Sequence, residues 1–391
     1  MLSEHHIAVI KNTIPLLASA GPELTRHFYQ RMLSQNPELK HIFNLSHQKS
    51  GRQSVALFEA IAAYAKNIDN LAALTSAVER IAHKHTSFNI KPEHYQIVGY
   101  HLIETLRELA GEAFTNEVEE AWTAAYLFLA EVFIQREEQI YTHNEYSVGG
   151  WRGKRRFVVS QMQRESQSVI SFILVPEDGE AVMDYLPGQY LGVEVTPPDS
   201  NYREIRQYSL CSAPNGHSYR IAVKKLADQH GGAVSRFMHE HLDVGSVIDV
   251  YPPAGDFYYQ ERNKPVVFIS AGVGVTPIQA MLHSAAKTGK AELTYLYACP
   301  TEADHVFRQE TEDVVSKHGW RQQVWYEQGA IQGQNSGLMN LTEQTFPEQA
   351  DFYLCGPLPF MQHIIKQLLT LGIASESIHY EVFGPFASAD V

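Results

Sequence analysis

The chain has 391 residues, a formal net charge of −13, and 44% hydrophobic against 19% charged residues. That length exceeds one compact core and predicts two or three domains. The acidic balance argues against a nucleic-acid partner or an anionic membrane surface. Three cysteines, Cys211, Cys299 and Cys355, are widely spaced and form no zinc pattern, which fits reduced thiols in the cytoplasm.

The first residues, Met1 to Lys11, place acidic and histidine side chains where a signal peptide would carry a basic end and an apolar run. The longest uncharged stretch, Pro265 to His283, is interrupted by Gly272, Gly274 and Pro277, so it reads as strand, turn and helix rather than a membrane span. A soluble protein without stable membrane insertion is expected.

From Leu2 to Tyr146 the apolar residues recur at helical spacing. Leu24, Phe28 and Met32 make one face, and Val55, Phe58, Ala62 and Ala65 suit another. Pro22, Pro37 and Pro92 mark helix starts. Phe43 falls in a short loop after Pro37, and Asn116 to Tyr141 reads as a long helix. Gln53 and Leu57, four apart, project from one face. His83 and His85 stand at the end of a helical run from Leu71 to Lys84. A single histidine from a helix is how an all-helical haem domain holds iron, but with 19 histidines in the chain, position alone does not choose between them.

At Gly149-Gly150-Trp151 the period changes from helical to alternating, which marks a boundary. Phe157–Val159, Val169–Val175, Gln189–Val195, Tyr219–Lys224 and Val247–Tyr251 read as short strands of an antiparallel barrel. In the fourth, Tyr219, Ile221 and Val223 face one way, and Arg220, Ala222 and Lys224 the other. Arg206-Gln207-Tyr208-Ser209 sets a planar cation, an aromatic face and a hydroxyl on one extended segment, a combination suited to a flavin and its phosphate. Pro187-Gly188-Gln189-Tyr190 puts an aromatic before a strand. Gly231-Gly232-Ala233-Val234-Ser235 runs into a helix (Val234 to Leu242) whose first amides suit a pyrophosphate.

In the last third, Val266-Val267-Phe268-Ile269 is a continuous apolar run, as for a strand covered on both faces. It leads into Gly272-Val273-Gly274-Val275-Thr276-Pro277 and a helix with Ile278, Met281, Leu282 and Ala285 on one face. Thr276 is the expected helix cap, Pro277 the first helical residue, and the glycines let a diphosphate approach the free amides. A second such strand ends in Cys355-Gly356-Pro357. The strand Leu293 to Ala298 leads to Thr301, Glu302 and Asp304, whose carboxylates would repel a 2′-phosphate and so favour NADH over NADPH.

Motifs from all three segments carry a family resemblance. Lys84-His85-Thr86-Ser87-Phe88 followed by Ile90 to Tyr95, with His27-Phe28-Tyr29, Phe43, Gln53 and Leu57, resembles the globin part of bacterial and yeast flavohaemoglobins. Arg206 to Ser209, Gly231 to Ser235 and Pro253-Ala254-Gly255-Asp256-Phe257, in that order, are similar to the FAD domain of ferredoxin reductases. Gly272 to Pro277 and Cys355 to Pro357 resemble its pyridine-nucleotide domain. From Met1 to about Pro385 the chain therefore resembles a flavohaemoglobin. The resemblance implies a globin at 1–146, an antiparallel β-barrel FAD domain at 151–262, and an α/β parallel-sheet NAD(P)H domain at 263–391.

The resemblance also assigns roles. His85 becomes the ligand of haem b iron, with His83 a solvated neighbour. Tyr95 pairs with Glu137, the Arg136-Glu137 step deciding against Glu138. Tyr29 and Gln53 donate hydrogen bonds to dioxygen. Lys84 and Glu381 lie along the electron path. Glu381, Val382, Phe383, Gly384 and Pro385 lie against the flavin, Val382 standing where the family often has cysteine. The implied activity is nitric oxide dioxygenation, converting NO and O2 to nitrate with electrons from NADH through FAD. Hydroperoxide reduction, or a sensor or oxygen store, are the alternatives. A monomer is expected, with a lipid or other hydrophobic ligand accommodated in the distal haem pocket.

Overall fold

A computed structural model describes residues 2–43, 51–198, 200–226, 232–329 and 333–384. By packing, the chain divides into two compact units: Met1–Tyr146 with Glu194–Ile205, and Ser147–Val193 with Arg206–Val391.

The first unit is built of helices α1 (Glu4–Ala20), α2 (Pro22–Gln35), α3 (Arg52–Lys66), α4 (Thr75–Thr86), α5 (Pro92–Ala110) and α6 (Asn116–Tyr146). Pro22 and Pro92 open α2 and α5, where a missing N–H leaves no helical acceptor unfilled. Leu24, Phe28 and Met32 are all buried, and the core continues through Ile10, Leu39, Leu102 and Trp122. The Trp122 indole is satisfied by the Thr13 hydroxyl at 3.0 Å. Two expectations change here. Val55 is 41% exposed, because the inward stripe of α3 runs instead through Leu57, Ile61, Tyr64 and Ala65. Leu71–Leu74 forms a separate 3-10 turn, so α4 starts at Thr75 and carries His85 within its last turn.

An antiparallel sheet comprises β1 (Arg155–Arg164), β2 (Val169–Pro176), β3 (Tyr190–Val195), β4 (Glu204–Ser209), β5 (Tyr219–Lys224) and β6 (Val247–Val250), in the order β4-β3-β6-β1-β2-β5. β1 is longer than expected and bends at an irregularity between Val159 and Gln161. The bridge Leu210↔Ile221 joins the end of β4 to β5 and closes the sheet into a barrel. Phe157, Phe172, Leu174, Tyr219 and Ile221 fill it. Helix α7 (Ala233–Glu240) follows β5.

The remaining strands, β7 (Val266–Ala271), β8 (Leu293–Cys299), β9 (Arg321–Tyr326), β10 (Asn335–Ser336), β11 (Asp351–Gly356) and β12 (Ile378–Val382), form a parallel sheet ordered β10-β9-β8-β7-β11-β12. Helices α8 (Val275–Thr288), α9 (Arg308–His318) and α10 (Leu358–Thr370) connect them. Every residue of β7, β8 and β11 is buried, which is why Val266–Ile269 in β7 reads as an unbroken apolar run. The barrel and this sheet share one core: Val169, Cys211, Ala222, Phe257 and Tyr259 pack with Phe268, Ile278, Met281 and Phe307.

Candidate functional site

In the helical unit, the last turn of α4 brings His85 against α6. Its Nδ1–H donates to Glu137 Oε1 at 2.7 Å, and the Tyr95 hydroxyl donates to the same oxygen at 2.5 Å. Glu137 is 2% exposed, and a carboxylate so buried needs such donors. Fixing the proton on Nδ1 leaves the lone pair on Nε2. The Phe133 and Tyr95 rings, with centroids 5.7 and 6.0 Å from the imidazole, hold its plane. Burial first, and then the Glu137 charge, raise the Tyr95 phenol far above its ordinary pKa, so it remains a donor. An imidazole backed by a carboxylate in this way has the chemistry of an axial haem ligand, and these residues fit haem b.

His83 is not a solvated neighbour. Its side chain is 14% exposed and its Nε2 lies 3.1 Å from Glu79. Glu79 in turn accepts both Nε–H and Nη2–H of Arg136 at 2.6 Å. Consecutive residues of α6, Arg136 and Glu137, thus tie α4 at two points. Tyr29 is 6% exposed and its hydroxyl is hydrogen-bonded with the Gln53 side chain. Burial raises this phenol too, with the glutamine opposing. The Phe43 ring meets Tyr29 edge-on at 5.8 Å, and Leu57, one turn beyond Gln53, packs against the helical core.

In the second unit, Arg206, Gln207 and Tyr208 are half-buried on β4 and Ser209 is buried. Burial raises the Tyr208 phenol and the Arg206 charge opposes it; two apart on β4, the two residues share one face of the strand. Tyr190 opens β3 and is bridged to Ala254. After burial, the charges of Glu381 and Asp256 raise its phenol further. A cation, two aromatic rings and a serine on neighbouring strands suit a flavin with its phosphates. At the start of α7 the Ser235 hydroxyl donates to Gly232 O at 3.1 Å and accepts from Leu226 N–H at 3.4 Å. With that hydroxyl engaged in its own loop, Gly232, Val234 and Ser235 have backbone amides to offer an anion. Gly231 and Pro385 lie outside the described residues.

After β7, Gly272–Gly274 make a 3-10 turn and α8 begins at Val275. Thr276 is therefore inside the helix and does not cap it: its hydroxyl donates to Val273 O at 3.0 Å, and Pro277 comes third. Gly272 has φ +53°, and a Cβ there would meet nothing within 4 Å, leaving open space before the amides of the turn. Gly274 is closed in, since a Cβ would sit 2.4 Å from Cys355 O. These features fit a dinucleotide diphosphate. The Cys355 thiol is fully buried, and burial followed by the Glu381 charge keeps it protonated. In the β11–β12 register, Cys355 stands opposite Glu381 and Gly356 opposite Val382. Pro357 precedes α10, and Phe383, followed by Gly384, is 44% exposed. Glu302 is paired with Arg308, while Asp304 accepts from Thr301 and Gln167 at 2.7 Å.

The sequence does not single out a partly buried charged cluster. Arg220 donates to both oxygens of Glu310 at 2.9 Å and to Glu165 at 2.8 Å, and His283 lies 2.6 Å from Glu310. Burial works against the Glu310 charge, but the His283 hydrogen bond and the Arg220 charge prevail and hold the carboxyl at about 2. The available signal was an arginine alternating with buried aliphatic residues on β5.

Comparison with known proteins gives the following matches. Residues 26–133 match the Globin family model, 156–259 the oxidoreductase FAD-binding domain, and 268–366 the oxidoreductase NAD-binding domain. A flavohemoprotein of Vibrio cholerae serotype O1 is 63% identical over 390 residues, 99% of each chain. The crystal structure of flavohemoglobin from Malassezia yamatoensis with bound FAD and heme is 28% identical, with a TM-score of 0.89 over 98% of this chain and 100% of that one. The FAD/NAD-binding domain of nitric oxide dioxygenase from Vibrio cholerae O1 biovar El Tor is 54% identical, with a TM-score of 0.58, covering 59% of this chain and 99% of that one. Among the described residues, no helix is long and apolar enough to cross a membrane.

Proposed function

The chain belongs to the flavohaemoglobin family of flavohemoproteins, and on that premise we propose that it is an NADH- and FAD-dependent nitric oxide dioxygenase. The observation that carries this reading is the buried Glu137 carboxylate on His85 Nδ1, in a chain that also holds FAD- and NAD-binding lobes. A carboxylate on that proton makes Nε2 a stronger donor to iron, which favours oxygen activation over storage. When bound, haem b and FAD supply the redox chemistry, whose net reaction takes two NO, two O2 and one NADH to two nitrate, NAD+ and one proton.

The chain's own residues then have distinct tasks. His85 would hold the iron, Glu137 accepts the hydrogen bond from its Nδ1–H, and Tyr95 orients that carboxylate. Tyr29 and Gln53 offer donors to dioxygen, while Phe43 and Leu57 supply apolar wall and room for a lipid or other hydrophobic ligand. Arg206 neutralises a flavin phosphate; Tyr190, Gln207, Tyr208 and Ser209 line the ring; Gly232, Val234 and Ser235 offer amides to the pyrophosphate. Gly272, Val273, Gly274, Val275, Thr276 and Pro277 cradle the NADH diphosphate. Cys355, Gly356 and Pro357 border the nicotinamide. Glu381, Val382, Phe383 and Gly384 flank the flavin, with Lys84 and Glu381 tuning the electron path. The same reading makes the protein a cytoplasmic monomer that prefers NADH to NADPH.

The test is nitric oxide uptake by the haem- and FAD-loaded protein, with NADH and oxygen each added and withheld. Rapid uptake requiring both, with nitrate accumulating, is the expected result. Fast NADH oxidation with slow uptake would overturn the reading and turn attention to hydroperoxides, whose reduction the carboxylate-backed histidine would also assist.

A further inference from the structure

The joint between the barrel and the parallel sheet is mostly apolar: Val169, Ala222 and Phe257 against Ile278, Met281 and Phe307. Apolar contacts resist separation but have little directional preference, so two lobes held by them alone can slide. Hydride transfer tolerates little sliding, because the reacting atoms must be held within a near-attack distance.

Among the polar groups that cross this joint, Arg220 does so with the most constrained geometry, bonding carboxylates on both sides. Arg220 projects from the outer face of β5, and its fork engages Glu310 on α9 through one nitrogen and Glu165 beside β2 through another. The Glu165 carboxylate also accepts from the Ser171 hydroxyl at 2.5 Å. The three side chains are 14%, 31% and 5% exposed. Buried ion pairs seldom add net stability over apolar packing, and their best-attested use is to fix register. A second observation points the same way. Phe307, immediately before α9, holds φ +57°, a conformation that bulky residues rarely adopt, and the Arg220 guanidinium lies 4.8 Å above its ring. Arg220 therefore grips both the helix and the strained residue that starts it.

Both ends of this grip lead to the reacting partners of the proposed activity. The carbonyl of Arg220 accepts from Cys211 N–H at 2.9 Å, two residues beyond the flavin-facing Ser209. Helix α9 follows the Thr301–Asp304 loop, where the coenzyme ribose is expected. Gln167 of the barrel ties that loop through Ala303 O at 3.0 Å and Asp304 at 2.7 Å. We propose that Arg220 and Glu310 are positioning residues, a clamp that sets the nicotinamide lobe against the flavin barrel for hydride transfer from NADH to FAD. This rests on the function proposed above.

The test is single-turnover reduction of FAD by saturating NADH in the full-length holoenzyme, with Arg220→Lys and Glu310→Gln. Lysine keeps the charge but cannot span both carboxylates; glutamine keeps the shape without the charge. Flavin content and NADH affinity should stay within about twofold of wild type. The reduction rate at saturation should fall roughly ten- to hundredfold, and the primary isotope effect with 4-deuterated NADH should rise. Should Arg220→Lys lose its flavin, the isosteric Glu310→Gln carries the same comparison. Unchanged saturated rate and isotope effect beside a lowered melting temperature would make the cluster merely structural and overturn the clamp. Wild-type flavin that NADH does not reduce would instead overturn the dioxygenase reading, and the clamp with it.

Discussion

Gly272 and Gly274 lie two apart in one turn, and each is glycine for a different reason. Gly274 has φ −62° and ψ −9°, which any residue adopts, so backbone freedom does not explain it. A Cβ at Gly274 would lie 2.4 Å from Cys355 O and 2.6 Å from Gly356 Cα. Those are strand backbone atoms and cannot swing aside, so Gly274→Ala must push the turn away from β11. Overpacking of this kind costs about 1–3 kcal/mol. Displacing the turn also widens the gap between the diphosphate cradle and Cys355-Gly356-Pro357, and a misplacement of about 1 Å can cost up to about a hundredfold in rate. Gly272→Ala meets no atom but must keep φ +53°, at roughly 1–2 kcal/mol, with its methyl in the space the diphosphate would use. The two variants should therefore lose similar stability in a thermal melt and differ in flavin reduction by NADH. Gly272→Ala should raise the NADH concentration at half-saturation, while Gly274→Ala should lower the saturated rate tenfold or more. A Gly274→Ala protein with wild-type melting temperature and saturated rate would refute the packing argument.

Acid should act through His305. Burial, then the Arg308 charge, hold this imidazole at about 4 against an ordinary 6.5, its Nδ1 accepting from the Tyr326 hydroxyl at 2.8 Å. The neutral form is the native one, so its stabilisation is complete above pH 6.5 and is lost as pH falls towards 4, by about 3 kcal/mol. His305→Phe should flatten denaturant-measured stability across that window, and a slope identical to wild type would exclude it. Tyr29→Phe removes one donor, and oxygen dissociation measured by flash photolysis should accelerate about tenfold, with slower nitric oxide turnover; unchanged dissociation would contradict the role given to Tyr29. Arg206→Ala should release flavin on gel filtration, and a fully flavinated variant would defeat the assignment. Glu137→Gln should weaken the iron–histidine stretch in the Raman spectrum of the ferrous protein, and an unmoved band would remove the carboxylate's influence.

What the sequence made legible was local. An unbroken apolar run announced the parallel strand β7, and alternation announced β5, because each pattern reports how many faces of one element are covered. The pairings at the candidate site are not local. His85 and Glu137 are 52 residues apart and meet through the packing of α4 on α6. His83 and His85 looked equivalent as ligands; the difference between them is that His83 meets Glu79 of its own helix, whereas His85 meets Glu137 of the neighbouring α6. Val55 and Thr276 failed for related reasons, since a shift of one or two positions in a helix's start or phase moves a side chain off the predicted face. Arg220 was visible as an outward residue on β5, but nothing in a strand's period says whether α9 will cover its outer side.

Coenzyme choice shows the same limit. Read as bare sequence, Glu302 and Asp304 sum to two negative charges facing a 2′-phosphate. Folded, Glu302 is paired with Arg308, whose guanidinium also meets Glu312 at 3.0 Å. A guanidinium among carboxylates removes much of the field they would otherwise project, and it is the group best shaped to receive a phosphate. Asp304 keeps its charge, with its carboxyl held below the usual range because hydrogen bonds from Gln167 and Thr301 outweigh burial, but those bonds also point it at the protein. Repulsion of NADPH then rests on one anchored carboxylate and is opposed by one adaptable cation. The proposed preference for NADH is accordingly smaller than two free carboxylates would impose, and Arg308 is the residue that limits it.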